Sequence, residues 1–324
     1  MIVQSLVRFS LLSFLAFFIL MGLLTSALSA RSLKVVASIA PIHSLVAGLM
    51  VEGSAAPHLL VRGGGSPHTT SLRPSDAQAL QEADLVFWIG PGLEAFLVKP
   101  LSSGHLSARV VTLHTLPALN LLDNREAGEW SEAADESEEG GDHAAEHGHG
   151  EKDMHLWLDP HNAKVLVKGI AHALMEADPI NRAGYQYRME SLLDRLERLD
   201  KQIAHRLQSV KGEPYIVFHD GFHYFDHRYQ LSPLAAITPS PEHQPGARRM
   251  REVRTLVMSG AVRCLFQEPQ FYARMVQSVI EGSSAKRGVI DPLGSAVEPG
   301  PDHYFKTMWA LAVDLTNCLS PANP

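Results

Sequence analysis

The chain has 324 residues and a formal net charge of −7, with 35 acidic against 28 basic side chains. This balance excludes a general nucleic-acid binder, which needs a surplus of lysine and arginine, and it suits a cation as ligand. The length is sufficient for two domains of ordinary size.

The first 30 residues have the pattern of a secretory signal peptide. Arg8 precedes an apolar run at residues 11–24, and small residues follow as far as Ala30. A membrane anchor is the alternative, but it needs about 18 unbroken apolar residues, and Ser13 and Gly22 dilute this run. No cysteine stands at the exit for lipid attachment. We therefore expect a cleaved, exported protein, which in a bacterium is periplasmic.

The chain has two cysteines, Cys264 and Cys318. In a reducing compartment they would be read as buried thiols or as a redox-active pair. Export favours a structural disulfide, which would join the last helix to a strand of the second half.

Short apolar runs alternate with helical patterns in the first half of the chain. Strands are predicted at residues 34–39, 84–89 and 109–113, and a helix at residues 74–82. This alternation predicts parallel strands joined by crossover helices, a doubly wound α/β arrangement.

Residues 123–153 break the pattern. They are crowded with Glu, Asp, Gly and Ala and contain His143, His147 and His149. Almost nothing here can bury a core, so we expect a mobile loop. Two interpretations stay open for its histidines: a weak secondary metal site that collects or senses metal, or a solvated spacer.

The order resumes with a short strand at residues 154–158, followed by a helix that Asp159-Pro160 begins and that runs to about residue 176. Asp178-Pro179 then stands at the head of a long amphipathic helix, which Gly212 closes. A second α/β series follows. Its predicted strands are at 215–218, 234–237, 262–266 and 288–290, and its helices at 246–259 and 271–281.

Together these elements predict a bilobal α/β fold: two similar α/β lobes with parallel-rich sheets joined by one long linking helix. The predicted boundaries place the signal peptide at 1–30, the N-terminal lobe at 31–178, the linking helix at 179–211 and the C-terminal lobe at 212–324. The cleft between the lobes is the expected ligand site.

Of the 17 histidines, three stand where an open α/β sheet binds ligands, at strand ends or in loops. His68 follows a glycine-rich loop, His155 precedes the apolar run at 156–158, and His219 follows the strand at 215–218. Asp291 ends a strand in the same way. Three nitrogens with one oxygen or water suit tetrahedral Zn²⁺, whereas Mn²⁺ prefers more oxygen ligands.

These residues predict a non-enzymatic metal-binding protein. The nearest alternative keeps the fold and binds Mn²⁺ or Fe²⁺. An exported zinc hydrolase would need an open coordination position and a general base, and the sequence has no His-Glu-x-x-His motif. An adhesin-like surface role is disfavoured because a lipid-attachment cysteine is missing.

The sequence resembles the metal-specific solute-binding proteins of ABC transporters, and within that family the periplasmic zinc-binding ZnuA group. The residues that carry the resemblance, in family order, are 71–76 after His68, 155–158, 218–220, 244–247, 266–271 and 291–294. The acidic His-containing segment and the cysteine pair are also similar.

The resemblance implies that His68, His155 and His219 are zinc ligands, with Asp291 or water at the fourth position. It implies transported Zn²⁺, an ABC permease and its ATPase at the inner membrane as partners, and a monomer with a rigid linking helix. One departure concerns Pro67, because some members carry an acidic, metal-coordinating residue there.

Overall fold

The computed structural model describes residues 32–104, 106–125, 152–241, 244–271 and 273–321. The predicted signal peptide and the loop histidines His143, His147 and His149 lie outside them. Residues 33–324 belong to one compact unit. In the described ranges, no helix is both long and apolar enough to cross a membrane.

The first sheet has four parallel strands in the order β2-β1-β3-β4. Its strands are β1 (Val35–Ala37), β2 (His58–Leu59), β3 (Leu85–Trp88) and β4 (Arg109–Thr112), and its helices are α1 (Ala40–Leu49), α2 (Pro74–Glu82) and α3 (Ala95–Ser102). All four residues of β3 are buried. That burial explains the unbroken apolar run in the sequence, since helices cover both faces of a parallel sheet.

Two helices follow the first sheet along the chain and precede the second: α4 (Pro160–Ala177) and α5 (Arg182–Leu207). The Asp159 side chain caps α4 by accepting a hydrogen bond from the His161 N–H, as predicted. The head of α5 differs from the prediction, because residues 179–181 form a 3₁₀ turn. Asp178 there accepts bonds from the Asn181 amide and the Tyr185 hydroxyl instead of capping the backbone.

The second sheet repeats the arrangement with the order β6-β5-β7-β8, again all parallel. Its strands are β5 (Tyr215–His219), β6 (Pro233–Thr238), β7 (Cys264–Gln267) and β8 (Lys286–Val289), and its helices are α6 (His223–Tyr229), α7 (Ala247–Met258), α8 (Ala273–Ile280) and α9 (His303–Leu319). The two parallel sheets with their helices confirm the predicted bilobal α/β class.

The strand predicted at residues 154–158 is wrong. Leu156–Leu158 forms a 3₁₀ turn outside both sheets, and all three side chains are buried. The Trp157 indole donates to the Pro292 carbonyl, and the Trp157 carbonyl accepts from the Tyr304 hydroxyl. Burial on all sides makes a short run apolar whatever its backbone conformation, so the pattern alone did not distinguish the two.

One hydrophobic cluster extends through α1, α4, α5 and α9 and reaches inner residues of both sheets, among them Phe87 and Val217. α9 packs on α5, α1 and β8, so the last helix contacts elements of both halves. The predicted disulfide between Cys264 and Cys318 is present, and it joins β7 to α9. The central helices and this bond make the two sheets parts of one packed body.

Candidate metal site

Three imidazoles meet between the two sheets. His68 lies in the loop after β2, His155 directly before the 3₁₀ turn, and His219 is the last residue of β5. The Nε2 atom of His155 lies 3.3 Å from Nε2 of His68 and 3.3 Å from Nε2 of His219. Among the described residues, the ligand atoms of these three side chains all lie within 4.8 Å of one another.

The second sheet explains the position of His219. From β5 the chain passes to β6 on one side and later to β7 on the other, so a crevice opens where the carboxyl ends of β5 and β7 meet. Ligands of open α/β sheets bind at such a switch point. His219 ends β5 and Glu268 directly follows β7, so both side chains stand at this crevice.

Two of the imidazoles have buried carboxylate partners. The His219 Nδ1 lies 2.5 Å from Oε1 of Glu268, and the His155 Nδ1 lies 2.7 Å from Oδ1 of Asp153. Both acids are nearly inaccessible to solvent, at 1% and 4% exposure. A carboxylate at Nδ1 assigns the proton to that nitrogen and leaves the Nε2 lone pair for a metal.

The proton affinities of the imidazoles differ. Burial, together with the neighbouring His155 and His219, lowers the pKa of His68 to about 2. Burial also opposes protonation of His219, but the Glu268 carboxylate outweighs it and raises the pKa of that imidazole above its ordinary value. His68 is therefore neutral at every physiological pH, whereas protons compete with a metal for His219 up to a higher pH than for an ordinary imidazole.

The space at the imidazoles is small and largely apolar. Residues that line it include Pro67, Trp157, Phe271, Pro292 and Leu293. The free volume is about 10 Å³, close to that of one water-sized sphere. The arrangement therefore suits a single metal ion with at most one water beside it, because a larger ligand has no room.

Asp291 lies outside this group. Its Oδ1 accepts hydrogen bonds from the Gln270 amide and the Leu293 N–H, and its Oδ2 accepts two bonds from Ser295. The carboxylate thus closes the turn at residues 291–295, whose Pro292 and Leu293 line the cavity. Its role as a fourth ligand stays a prediction.

Sequence reasoning missed Asp153 and Glu268 as partners of the imidazoles. A signal existed for each of them. Asp153 stands two residues before His155, and Glu268 follows an apolar strand just as His219 ends one. The pairing of Glu268 with His219 spans 49 residues and depends on the order of the strands.

The family ZnuA, described as the zinc-uptake complex component A, periplasmic, matches residues 35–318.

The chain belongs to the ZnuA family.

Two curated relatives have the same full name, high-affinity zinc uptake system protein ZnuA. The ZnuA of Brucella suis is 40% identical over 95% of this chain and 98% of its own length. The ZnuA of Yersinia pestis is 36% identical over 92% and 94%. Among solved structures, the periplasmic zinc-binding protein TroA from Treponema pallidum has a TM-score of 0.75 at 20% identity, covering 90% of this chain and all of its own. That likeness shows the fold.

Proposed function

We propose that this ZnuA-family protein captures one Zn²⁺ in the periplasm with the Nε2 atoms of His68, His155 and His219, and delivers it to an ABC permease in the inner membrane. The observation that carries the proposal is the convergence of three imidazole nitrogens on a space the size of one ion. The names of the relatives supply zinc uptake as the process.

The charges of the site support a divalent cation. Neutral imidazoles bring no charge of their own, while Asp153 and Glu268 place two buried carboxylates directly behind two of the ligands. A bound Zn²⁺ offsets these two charges, and a buried ion is tolerated when its charge is compensated nearby. Three nitrogen ligands also favour Zn²⁺ over Mn²⁺, for which more oxygen ligands would be expected.

The small cavity argues for transport rather than catalysis. A zinc hydrolase needs a coordination position open to substrate and a general base beside it. Here about 10 Å³ is free next to the imidazoles, and most of its lining surface is apolar, which leaves little room for a substrate. We assign the fourth position to water or to Asp291 after a shift of its turn.

The test is a chelator-competition zinc titration of the exported chain with four single variants. His68→Ala, His155→Ala and His219→Ala should each weaken binding by at least about a hundredfold, because each removes a metal–nitrogen bond. His172→Ala, which removes a mostly exposed imidazole on α4, is the matched control and should bind like wild type. Unchanged affinity in any of the first three variants would remove that histidine from the ligand set.

The acidic segment needs a separate arm of the titration. A deletion of residues 126–151 keeps Arg125 and Asp153, which contact the site or its neighbours. We expect the shortened protein to keep one tight zinc and to lose additional weak ions. Loss of the tight ion on this deletion would transfer the primary site to His143, His147 and His149.

A further inference from the structure

The two ends of the acidic segment meet in a short stem, formed by residues 122–125 and 152–153. The Asp153 N–H donates to the Leu122 carbonyl at 3.0 Å, and Asp123 and Lys152 pair through an isolated antiparallel bridge. The Lys152 ammonium also lies 2.6 Å from the Asp123 carboxylate. The stem thus holds the chain on both sides of residues 126–151 in one place.

One strand of the stem supports His155. Asp153 accepts hydrogen bonds from both the ring and the N–H of His155. The Tyr224 hydroxyl on α6 donates to the Asp153 carbonyl at 2.8 Å and accepts from the Leu122 N–H at 3.1 Å. One tyrosine therefore ties both strands of the stem to the helix that follows His219.

The other strand of the stem carries Arg125, whose guanidinium reaches the second sheet. Its Nε lies 2.9 and 3.1 Å from the two oxygens of Asp220, and its Nη2 binds Asp220 and lies 3.1 Å from Asp226. The three side chains are 14%, 8% and 4% exposed. The Tyr215 hydroxyl donates to Asp226, so the cluster is anchored on β5 itself.

Asp220 is the residue directly after His219, and the turn it forms touches the ligand ring. The Gly221 N–H donates to the His219 carbonyl at 2.9 Å. The space at Gly221 is so tight that a β-carbon there would lie 2.3 Å from the His219 Nε2. Any displacement of residues 220–221 therefore moves the surface against which the His219 ring rests.

We propose that Arg125 is a positioning residue for zinc: its guanidinium holds Asp220 and thereby fixes His219, while its own stem fixes His155. The inference rests on the proposed ligand set. The fork shape of a guanidinium matters, because one planar group serves two carboxylates at once, which an ammonium on a flexible stem cannot do as well. Loss of the fork should loosen His219 relative to His155 and speed zinc release.

The experiment compares Arg125→Gln, Arg125→Lys and the control Arg109→Gln, which removes a half-exposed pair with Glu176. Zinc dissociation is followed by stopped flow with excess chelator. The visible absorption spectrum of the Co²⁺-substituted protein reports the geometry of the metal site. We expect about tenfold faster zinc loss and altered Co²⁺ bands in Arg125→Gln, a smaller change of both in Arg125→Lys, and wild-type values in the control.

Arg125→Lys decides the outcome if Arg125→Gln does not fold, because it retains a positive charge beside the two acids. A folded Arg125→Lys protein with the wild-type dissociation rate and the wild-type Co²⁺ spectrum would overturn the inference. His219→Ala distinguishes this from a failure of the proposed function. If that variant keeps tight zinc, the ligand set is wrong, whatever Arg125 does.

Discussion

At the scale of single residues, the three imidazoles have unequal environments although they present the same atom. His219 has a carboxylate at Nδ1 and a raised pKa, whereas His68 lies among apolar groups and other imidazoles with a pKa lowered to about 2. A carboxylate behind an imidazole increases its basicity toward a metal as well as toward a proton. Under the proposed ligand set, zinc and protons therefore compete at His219.

Zinc affinity should therefore fall as the pH is lowered, and the decline should begin above the ordinary histidine pKa of about 6.5. His219 holds its proton to a higher pH than a free imidazole, while His68 has no proton to lose in this range. Calorimetry in buffers of different ionisation enthalpy should detect protons released on zinc binding, and the number released should increase as the pH is lowered.

Glu268→Gln should reduce that proton release, because it removes the charge that raises the pKa of His219. An affinity that is constant between about pH 5.5 and about pH 8 would contradict this account of the proton competition.

Gly221 is a second residue on which the site depends. A methyl group at this position would lie 2.3 Å from Nε2 and 2.5 Å from Cε1 of His219, far inside van der Waals contact. Gly221→Ala should therefore displace the ring and weaken zinc binding by at least about tenfold, comparable to loss of a group that orients a ligand. Isothermal titration provides the measurement.

Gly246→Ala is the matched control, since nothing lies within 4 Å of a β-carbon there. If Gly221→Ala bound zinc as tightly as the control variant, the ring would have to be free to move without loss of affinity, and the tight packing would have no functional role.

At the scale of elements, the predicted helices and strands were most accurate where the burial pattern and the hydrogen-bonding residues both indicated the same element. The helix at residues 74–82 agrees with α2 at both ends, and the apolar run at 84–89 contains β3. His219 was predicted at a strand end because it directly follows the apolar run at 215–218. Residues 154–158 were misassigned because the run is buried by Pro292 and Tyr304, which are distant in sequence.

The sequence alone could not identify which carboxylate pairs with an imidazole. Asp291 and Glu268 both follow apolar strands, and local sequence does not distinguish them. The fold distinguishes them, because the carboxylate of Asp291 accepts hydrogen bonds from its own turn and from Gln270, whereas that of Glu268 faces His219.

The first sheet has a switch point of its own between β1 and β3, and a carboxyl group fills it. Glu94 is fully buried and accepts bonds from the Ser38 hydroxyl and from the N–H groups of Ile89 and Gly90. Burial raises the pKa of Glu94 to about 7 despite these bonds. The crevice at which His219 and Glu268 stand in the second sheet is thus closed in the first.

Glu94 should make the stability of the protein depend on pH. Its folded pKa lies above its unfolded value, so its contribution is complete at low pH and is lost as the pH rises through about 7. Glu94→Gln has no such titration, although it loses an acceptor for the Gly90 N–H. In urea titrations, the amount by which the unfolding free energy of wild type exceeds that of Glu94→Gln should therefore be larger at about pH 5 than at about pH 8.

Glu252→Gln, on the exposed face of α7, should show no such narrowing in the same titrations. If the difference in unfolding free energy between wild type and Glu94→Gln stayed constant with pH, the Glu94 carboxyl group would have to keep one charge state throughout the range.

At the scale of the whole molecule, the proposed zinc site depends on parts that different regions of the chain supply. The continuous core through α1, α4, α5 and α9 holds these parts together, and α9 packs on both α1 and α5. The Cys264–Cys318 bond attaches α9 to β7, the strand that Glu268 follows. The bond thus fixes an inner strand of the second sheet to the helix that contacts both halves.

Replacing both cysteines by alanine should lower the unfolding free energy by up to about 4 kcal/mol, because the bond closes a loop with a sequence separation of 54. Urea unfolding of wild type and double variant, with and without zinc, measures this loss. The increase in unfolding free energy on adding zinc is a separate measure of zinc affinity, since a ligand that binds only the folded state stabilises it according to its affinity. If the packed core alone holds the site in place, zinc should add the same increment to both proteins. A smaller increment in the double variant would show that the disulfide also positions Glu268 behind His219.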